Sequence, residues 1–348
     1  MTRPLPLAAA TLAAATLGAA AFRALHLPLA TILGAMTGAA LVANFLGVMP
    51  GGRRLRRFGQ LFVGASIGAV LSPDILGNLL QLFPVMLGIA IAANLVGLAL
   101  ALPLAWLAGI DRLSAVLASL PAGMAEMATL AHALDADEQA VALIHTLRVV
   151  LVLALLPLWL GLAGRHGPLP LPPFSWNGLA EILGLVVVSA VLAAAATRLR
   201  ILNAYIIAPM LVCLLIVAVG HRLPPVPGPV LVAAQVAVGA SLGLRFQVAR
   251  LRRLPRVALA GALSGILMIA AAFSALAPLA GWLGGLDPVS SILASAPGGL
   301  GEMIGSAASL GLLAAAVAGF QLTRSLLTNL VAPPVIRWAV NRKVTKRP

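Results

Sequence analysis

Ser119-Leu-Pro-Ala-Gly-Met-Ala-Glu-Met127 and Ser295-Ala-Pro-Gly-Gly-Leu-Gly-Glu-Met303 decide the fold. Each lies inside an apolar stretch, Val116–Leu134 or Ser290–Leu310, and the two are offset by 176 residues. Proline removes a backbone donor and glycine permits left-handed geometry, so a helix through either stretch is predicted to break. Outward from these motifs the same offset joins Asp111 to Asp287, Pro121 to Pro297, Gly123 to Gly299, Glu126 to Glu302, Arg148 to Arg324 and Pro157 to Pro333. An offset of 175 joins Gln60-Leu-Phe-Val-Gly-Ala-Ser-Ile-Gly68 to Gln235-Val-Ala-Val-Gly-Ala-Ser-Leu-Gly243, and Arg23 to Arg198. The chain reads as a duplication. Its parts are a first membrane repeat 1–163, a proline-rich extracytoplasmic linker 164–176, a second repeat 177–338 and a basic cytoplasmic tail 339–348.

Composition sets the solvent. Of 348 residues, 61% are apolar and 9% charged, with a mean hydropathy of +1.07. A soluble fold carries roughly a quarter of its residues as charges. Leu5–Phe22, Leu27–Met49, Leu79–Ala108, Val141–Leu162, Leu179–Ala196, Ile201–Gly220 and Val257–Trp282 are each long enough to span a bilayer, which takes about 17–25 residues per helix. The short alternating strands of a barrel are absent, so the expected fold is an all-α polytopic membrane protein. The stretch Leu5–Phe22 could be a signal peptide, but its counterpart Leu179–Ala196 sits mid-chain, so both read as the first helix of a repeat. A single cysteine, Cys213, excludes an intrachain disulfide framework and a cysteine-based metal cluster. The net charge of +14 falls in loops between apolar stretches, which sets membrane topology and builds no nucleic-acid face.

The placement of those charges orients the halves. The cluster Arg53, Arg54, Arg56 and Arg57 lies between the second and third apolar segments of the first half. In the second half the cluster moves one loop on, to Arg245, Arg250, Arg252, Arg253 and Arg256. Under the positive-inside rule the repeats are therefore inverted. Each half has six candidate segments, and inversion needs an odd number of crossings. About ten crossings plus two re-entrant or broken Pro/Gly helices satisfy both. Eighteen of the 23 Lys and Arg residues then face the cytoplasm, as do both termini. Arg23, Arg165 and Arg222 lie outside, and Arg148 and Arg324 stay within the membrane. Phe58–Leu71 and Pro229–Leu244 are short for crossings, and either pair could be the partial one. The expected location is a bacterial inner membrane.

Broken helices at matching positions of inverted repeats mark a transporter's binding site. A break leaves a half-helix whose N-terminal donors and dipole can receive an anion. This singles out Pro121 and Gly123 with Pro297, Gly298 and Gly299. Glu126 and Glu302, three residues after Gly123 and Gly299, read either as N3 residues of a capping box or as membrane-depth proton carriers or cation ligands. Arg148 and Arg324, in the next apolar segments, either pair with Glu126 and Glu302 or capture a substrate carboxylate or phosphate. His145 and Gln321 sit one turn before each arginine on the same face. Asp135, Asp137 and Glu138 read as a solvated loop. Five histidines share no ligand spacing, so neither a metal nor a cofactor is expected. Gly34-x-x-x-Gly38 and Gly64-x-x-x-Gly68 read as helix-packing motifs.

The paired Pro-Ala-Gly-Met-Ala-Glu-Met and Pro-Gly-Gly-Leu-Gly-Glu-Met motifs, each followed by an intramembrane arginine, resemble the duplicated AbrB-type integral membrane family over nearly the whole chain. Members of that family carry labels such as regulator of gene expression or ammonia monooxygenase. Ala122 departs from the usual Pro-Gly-Gly. More distantly, glycine-tipped re-entrant loops in inverted repeats look like citrate and glutamate symporters, and the interrupted helices look like sodium–proton exchanger folds.

The function expected is a secondary active transporter of a small anionic solute, coupled to H⁺ or Na⁺ by alternating access around the two breaks. It is not expected to be an enzyme: a monooxygenase needs clustered His, Cys or carboxylate ligands that the sequence does not offer. The alternative is a membrane sensor acting indirectly on gene expression. The partners implied are the bilayer, a small solute or ion and a second copy of the chain, with no nucleic acid.

Overall fold

The computed structural model describes residues 4–344 except 28, 70, 72, 163–171, 200, 202 and 311–312. Most of the linker expected at 164–176, and the last residues of the basic tail, lie outside the described residues. The described residues are helical and contain no strand. In chain order the helices are α1 (Pro4–Ala24), α2 (Ala30–Phe45), α3 (Gly52–Gly68), α4 (Pro73–Ala108), α5 (Arg112–Ser119), α6 (Met124–Ala133), α7 (Glu138–Leu162) and α8 (Trp176–Arg198). There follow α9 (Ala204–Ala218), α10 (Gly228–Gly243), α11 (Val248–Arg253) and α12 (Pro255–Ala271), which runs through a π turn (Ala272–Leu276) into α13 (Ala277–Gly284). The last three are α14 (Pro288–Ser295), α15 (Leu300–Ser309) and α16 (Ala314–Val344).

Six helical stretches are long and apolar enough to cross a membrane: Pro6–Ala24, Gly77–Ala108, Glu138–Trp159, Trp176–Arg198, Gly228–Arg253 and Pro255–Gly284. Ala30–Phe45 and Ala204–Ala218 are shorter apolar helices. Leu17, Leu95, Leu102, Val187, Val191 and Leu259 stand exposed along the long helices, as lipid-facing side chains do. Trp106, Trp176 and Trp282 are exposed at helix ends, where tryptophan suits the bilayer interface. By helix length and composition this is a multi-pass membrane protein.

The chain divides into two compact units that do not follow its halves. Unit 1 comprises residues 1–81, 154–247 and 300–318, and unit 2 comprises 82–153, 248–299 and 319–348. Unit 1 is built on close helix approach. A Cβ at Gly34 would stand 2.2 Å from the Gly18 carbonyl oxygen, and one at Gly239 would stand 2.3 Å from that of Ile32. These backbones touch directly, so any side chain would force α1, α2 and α10 apart. Ala15, Ala19, Ala35, Ala39, Val236 and Ala240 fill the same seam. On α3, Gly64 meets the Ile206 carbonyl in the same manner, so both small-residue motifs pack helices.

Two arginine readings change with the structure. Arg53, Arg54, Arg56 and Arg57 form the first two turns of α3 and no loop. Arg256, in unit 2, belongs to α12. Its Nε donates to the Leu107 carbonyl (2.8 Å) and Nη2 to that of Trp106 (3.0 Å), capping the end of α4. A helix C-terminus leaves carbonyls unpaired, and a guanidinium satisfies them while matching the dipole.

Candidate functional site

Both interrupted stretches are two short helices with the same junction. Asp111 caps α5 by accepting from Ser114 N at 2.9 Å, and Asp287 caps α14 by accepting from Ser290 N at 3.0 Å. Each first helix stops one residue before the proline. Leu120 lies at φ −61°, ψ 137° and Ala296 at φ −56°, ψ 132°, the extended conformation that the ring of a following proline imposes. The proline is then the centre of a tight γ-turn: Ala122 N donates to the Leu120 carbonyl and Gly298 N to that of Ala296, both at 2.8 Å. Gly123 is extended too, at φ −70°, ψ 136°. The left-handed glycine geometry expected at the breaks is therefore absent: the glycines with positive φ lie elsewhere, at 47, 51, 109, 220 and 285. Gly123 lies instead beneath the Glu126 side chain. A Cβ there would stand 1.9 Å from Glu126 Oε2, because that carboxylate folds back over the start of α6.

Each break in unit 2 is held by one arginine. Arg148 Nη1 donates to the carbonyls of Leu120 (3.0 Å) and Ser119 (3.5 Å), and Nη2 to that of Ala122 (3.4 Å). Arg324 Nη1 donates to the carbonyls of Ala296 (2.7 Å) and Ser295 (3.4 Å), and Nη2 to that of Gly298 (3.2 Å). These carbonyls are the ones a terminated helix orphans, and in an apolar medium each would be costly. The side chains are 3% and 5% exposed. Neither arginine pairs with a carboxylate of unit 2 among the described residues, so the ion pair of Arg148 with Glu126 does not form. Both Nε atoms are buried without a partner.

The residue one turn earlier completes each cap. Arg148 Nη2 lies 2.9 Å from His145 Nδ1, and His145 Nε2 lies 3.0 Å from the Leu117 carbonyl. An arginine donor requires an acceptor, so the imidazole is neutral with its proton on Nε2. Gln321 does the same with an amide: Oε1 accepts from Arg324 Nη2, while Nε2 donates to the Leu293 carbonyl at 2.7 Å. His145 and Gln321 thus present one acceptor and one donor in the same order. The partners named here stand in the sequence at the offset of 176, while Arg148 alone also meets Met268 Sδ at 3.8 Å.

The glutamates part company. Glu126 is half-buried in unit 2, over Gly123. Glu302, on α15 in unit 1, is 1% exposed and meets Arg56 on α3, with Arg56 Nη2 3.5 Å from Oε1. Its Oε2, Arg56 Nε and the amide nitrogen of Gln235 on α10 are buried without partners. A Cβ at Gly301 would touch Gln60 at 3.4 Å. Sequence reasoning missed Arg56, because the cluster Arg53-Arg54-Leu55-Arg56-Arg57 read as a topology signal. The available clue was its spacing: Arg56 lies one helical turn before Gln60, a polar residue inside an apolar segment.

The sequence profile of the family described as "Transition state regulatory protein AbrB" matches residues 2–164 and again 49–340. The chain belongs to the AbrB family. It is similar to the "Putative regulator AbrB" of Escherichia coli (strain K12), 27% identical over 338 residues that cover 91% of this chain and 92% of the relative. It is also similar to the "Uncharacterized protein YhjN" of Bacillus subtilis (strain 168), 25% identical over 308 residues covering 82% of this chain and 78% of the relative.

Proposed function

We propose that this AbrB-family protein is a secondary transporter of a small anion, working by alternating access around the two broken helices. One observation carries the reading. Arg148 and Arg324 are buried cations whose partners are all neutral, and each keeps one N–H donor unpartnered. Carbonyl dipoles solvate a guanidinium without cancelling its charge, and a buried charge calls for a counter-charge. A bound carboxylate or phosphate supplies one. Within unit 2 the N-terminal end of α6, opened by the first break, adds donors and a positive dipole end. His145, Gln321 and the Pro/Gly turns then position the arginines, while the arginines attract the solute.

The recurrence of one hydrogen-bond set at the 176-residue offset supports two repeats, 1–163 and 177–338, and the charge bias supports their inversion. On this reading the chain makes about ten crossings of an inner membrane, with both termini cytoplasmic. The family description and the E. coli relative's name favour a second reading, a membrane sensor that acts on gene expression without moving solute. Flux separates the two. Purified protein in liposomes should take up a labelled small anion that also stabilises it thermally, and Arg148→Lys with Arg324→Lys should lose both. Binding without flux would leave the sensor.

A further inference from the structure

The transport reading leaves the coupling ion open between H⁺ and Na⁺, and the two units together bear on it. A sodium ion at membrane depth is held by carbonyl oxygens freed where helices unwind. In this chain those oxygens are occupied: Ser119, Leu120 and Ala122 face Arg148, and Ser295, Ala296 and Gly298 face Arg324. A second cation would lie against a fixed one. Each arginine is a tethered cation in the place where a mobile one would bind.

Unit 1 holds the other half of the argument. Glu302 is buried, touches its counter-charge only at 3.5 Å, and has one oxygen without a partner among the described residues. Among the described residues, the unit 1 helices packed against α15 hold no other carboxylate. α2 and α10 carry no charged residue, and on α15 Glu302 is the only one. On α3 the charged residues are four arginines: Arg53 and Arg54 are exposed, Arg57 stacks on the Tyr205 ring at 4.6 Å, and Arg56 faces Glu302. A single buried carboxylate beside an arginine does not supply the several oxygens that a sodium shell needs.

We propose that Glu302 is the proton-carrying group of the molecule, with Arg56 as the partner that holds its charged form, and that the coupling ion is H⁺ and not Na⁺. Protonation of the carboxylate releases Arg56; loss of that proton re-forms the pair. Glu126, half-exposed and folded over Gly123, has no such counter-charge and carries no coupling proton.

The proposal rests on the transport reading, but its test needs no solute. The full chain in nanodiscs is titrated in sodium-free buffer while infrared difference spectra follow the carboxylic C=O stretch. The chain has eight other carboxylates, so the band that counts is the component present in the wild type and missing from Glu302→Gln. That component is expected to be kept in Glu126→Gln and Glu302→Asp and displaced along the pH axis in Arg56→Gln. Replacing choline chloride by sodium chloride at fixed pH should leave the wild-type spectrum unchanged, an arm that depends on no variant folding. Titration spectra identical in the wild type and Glu302→Gln, or a sodium-dependent change at fixed pH, overturn the proposal. Failure of the transport reading looks different: the band titrates as expected, yet no anion moves.

Discussion

The two helix breaks are copies down to individual hydrogen bonds, yet the half-helices that follow them have different surroundings. Up to the turn they match: an aspartate cap, a proline-centred turn, an arginine on three carbonyls and a neutral hydrogen-bonding side chain on the arginine. Beyond it, α6 stays with α5 in unit 2, whereas the chain passes from unit 2 to unit 1 between Gly299 and Leu300. Glu126 remains half-buried, and Glu302 is enclosed beside Arg56. The sequence already contains the reason: the position matching Arg56 at the 175 offset is Leu231. On the proposed duplication, the joint is kept at both breaks while the surroundings of the two glutamates differ.

The largest expected effect tests the shared joint. Arg148→Met and Arg324→Met each strand three carbonyls in an apolar medium. Each should cost about 4 kcal/mol, because bonds to a charged donor are worth roughly 1.5–3 kcal/mol apiece and the relief of burying no charge offsets part of the loss. SDS-induced unfolding in mixed micelles should give values within about 1 kcal/mol of each other; a large disparity would break the equivalence. Next comes the divergent part. Arg56→Leu leaves Glu302 enclosed without a counter-charge and should cost about 3 kcal/mol, at the low end for a buried pair because a fifth of the Arg56 side chain is exposed. A double-mutant cycle with Glu302→Gln should recover most of that loss.

Smaller effects sharpen the comparison. His145→Leu removes an acceptor from Arg148 and a donor from the Leu117 carbonyl, for about 2 kcal/mol, whereas His145→Gln imports the second repeat's solution and should stay within about 1 kcal/mol of wild type. Glu126→Gln should change stability least, by no more than about 0.5 kcal/mol, since the carboxylate is half-exposed and unpaired.

Much of this was legible in the sequence because it is local. A proline dictates the conformation of the residue before it, and apolar runs of membrane length dictate helices, so the breaks at Leu120 and Ala296 could be located from the chain alone. What the arginines do could not. Arg148 was expected to meet either Glu126 or a substrate; within the chain it meets the carbonyls of Ser119, Leu120 and Ala122 and not Glu126. Backbone acceptors leave no trace in residue identity, so every helix C-terminus is an invisible partner to sequence reading. Arg56 was hidden differently, inside a run of arginines whose collective meaning as a topology signal masked the one residue that turns inward. Gly123 was singled out because glycine permits left-handed geometry, and it adopts an extended one.

The most direct test of the anion reading is thermal unfolding of the purified wild type and the Arg148→Lys/Arg324→Lys double variant against inorganic phosphate, monocarboxylates, dicarboxylates, neutral amides and alkali cations. A ligand that binds only the folded protein stabilises it by RT ln(1 + [L]/Kd), about 2.7 kcal/mol at a hundredfold excess over Kd. The account predicts stabilisation by at least one anion, absent in the double variant. Stabilisation confined to neutral or cationic solutes, or an anion effect that survives loss of both arginines, would contradict it.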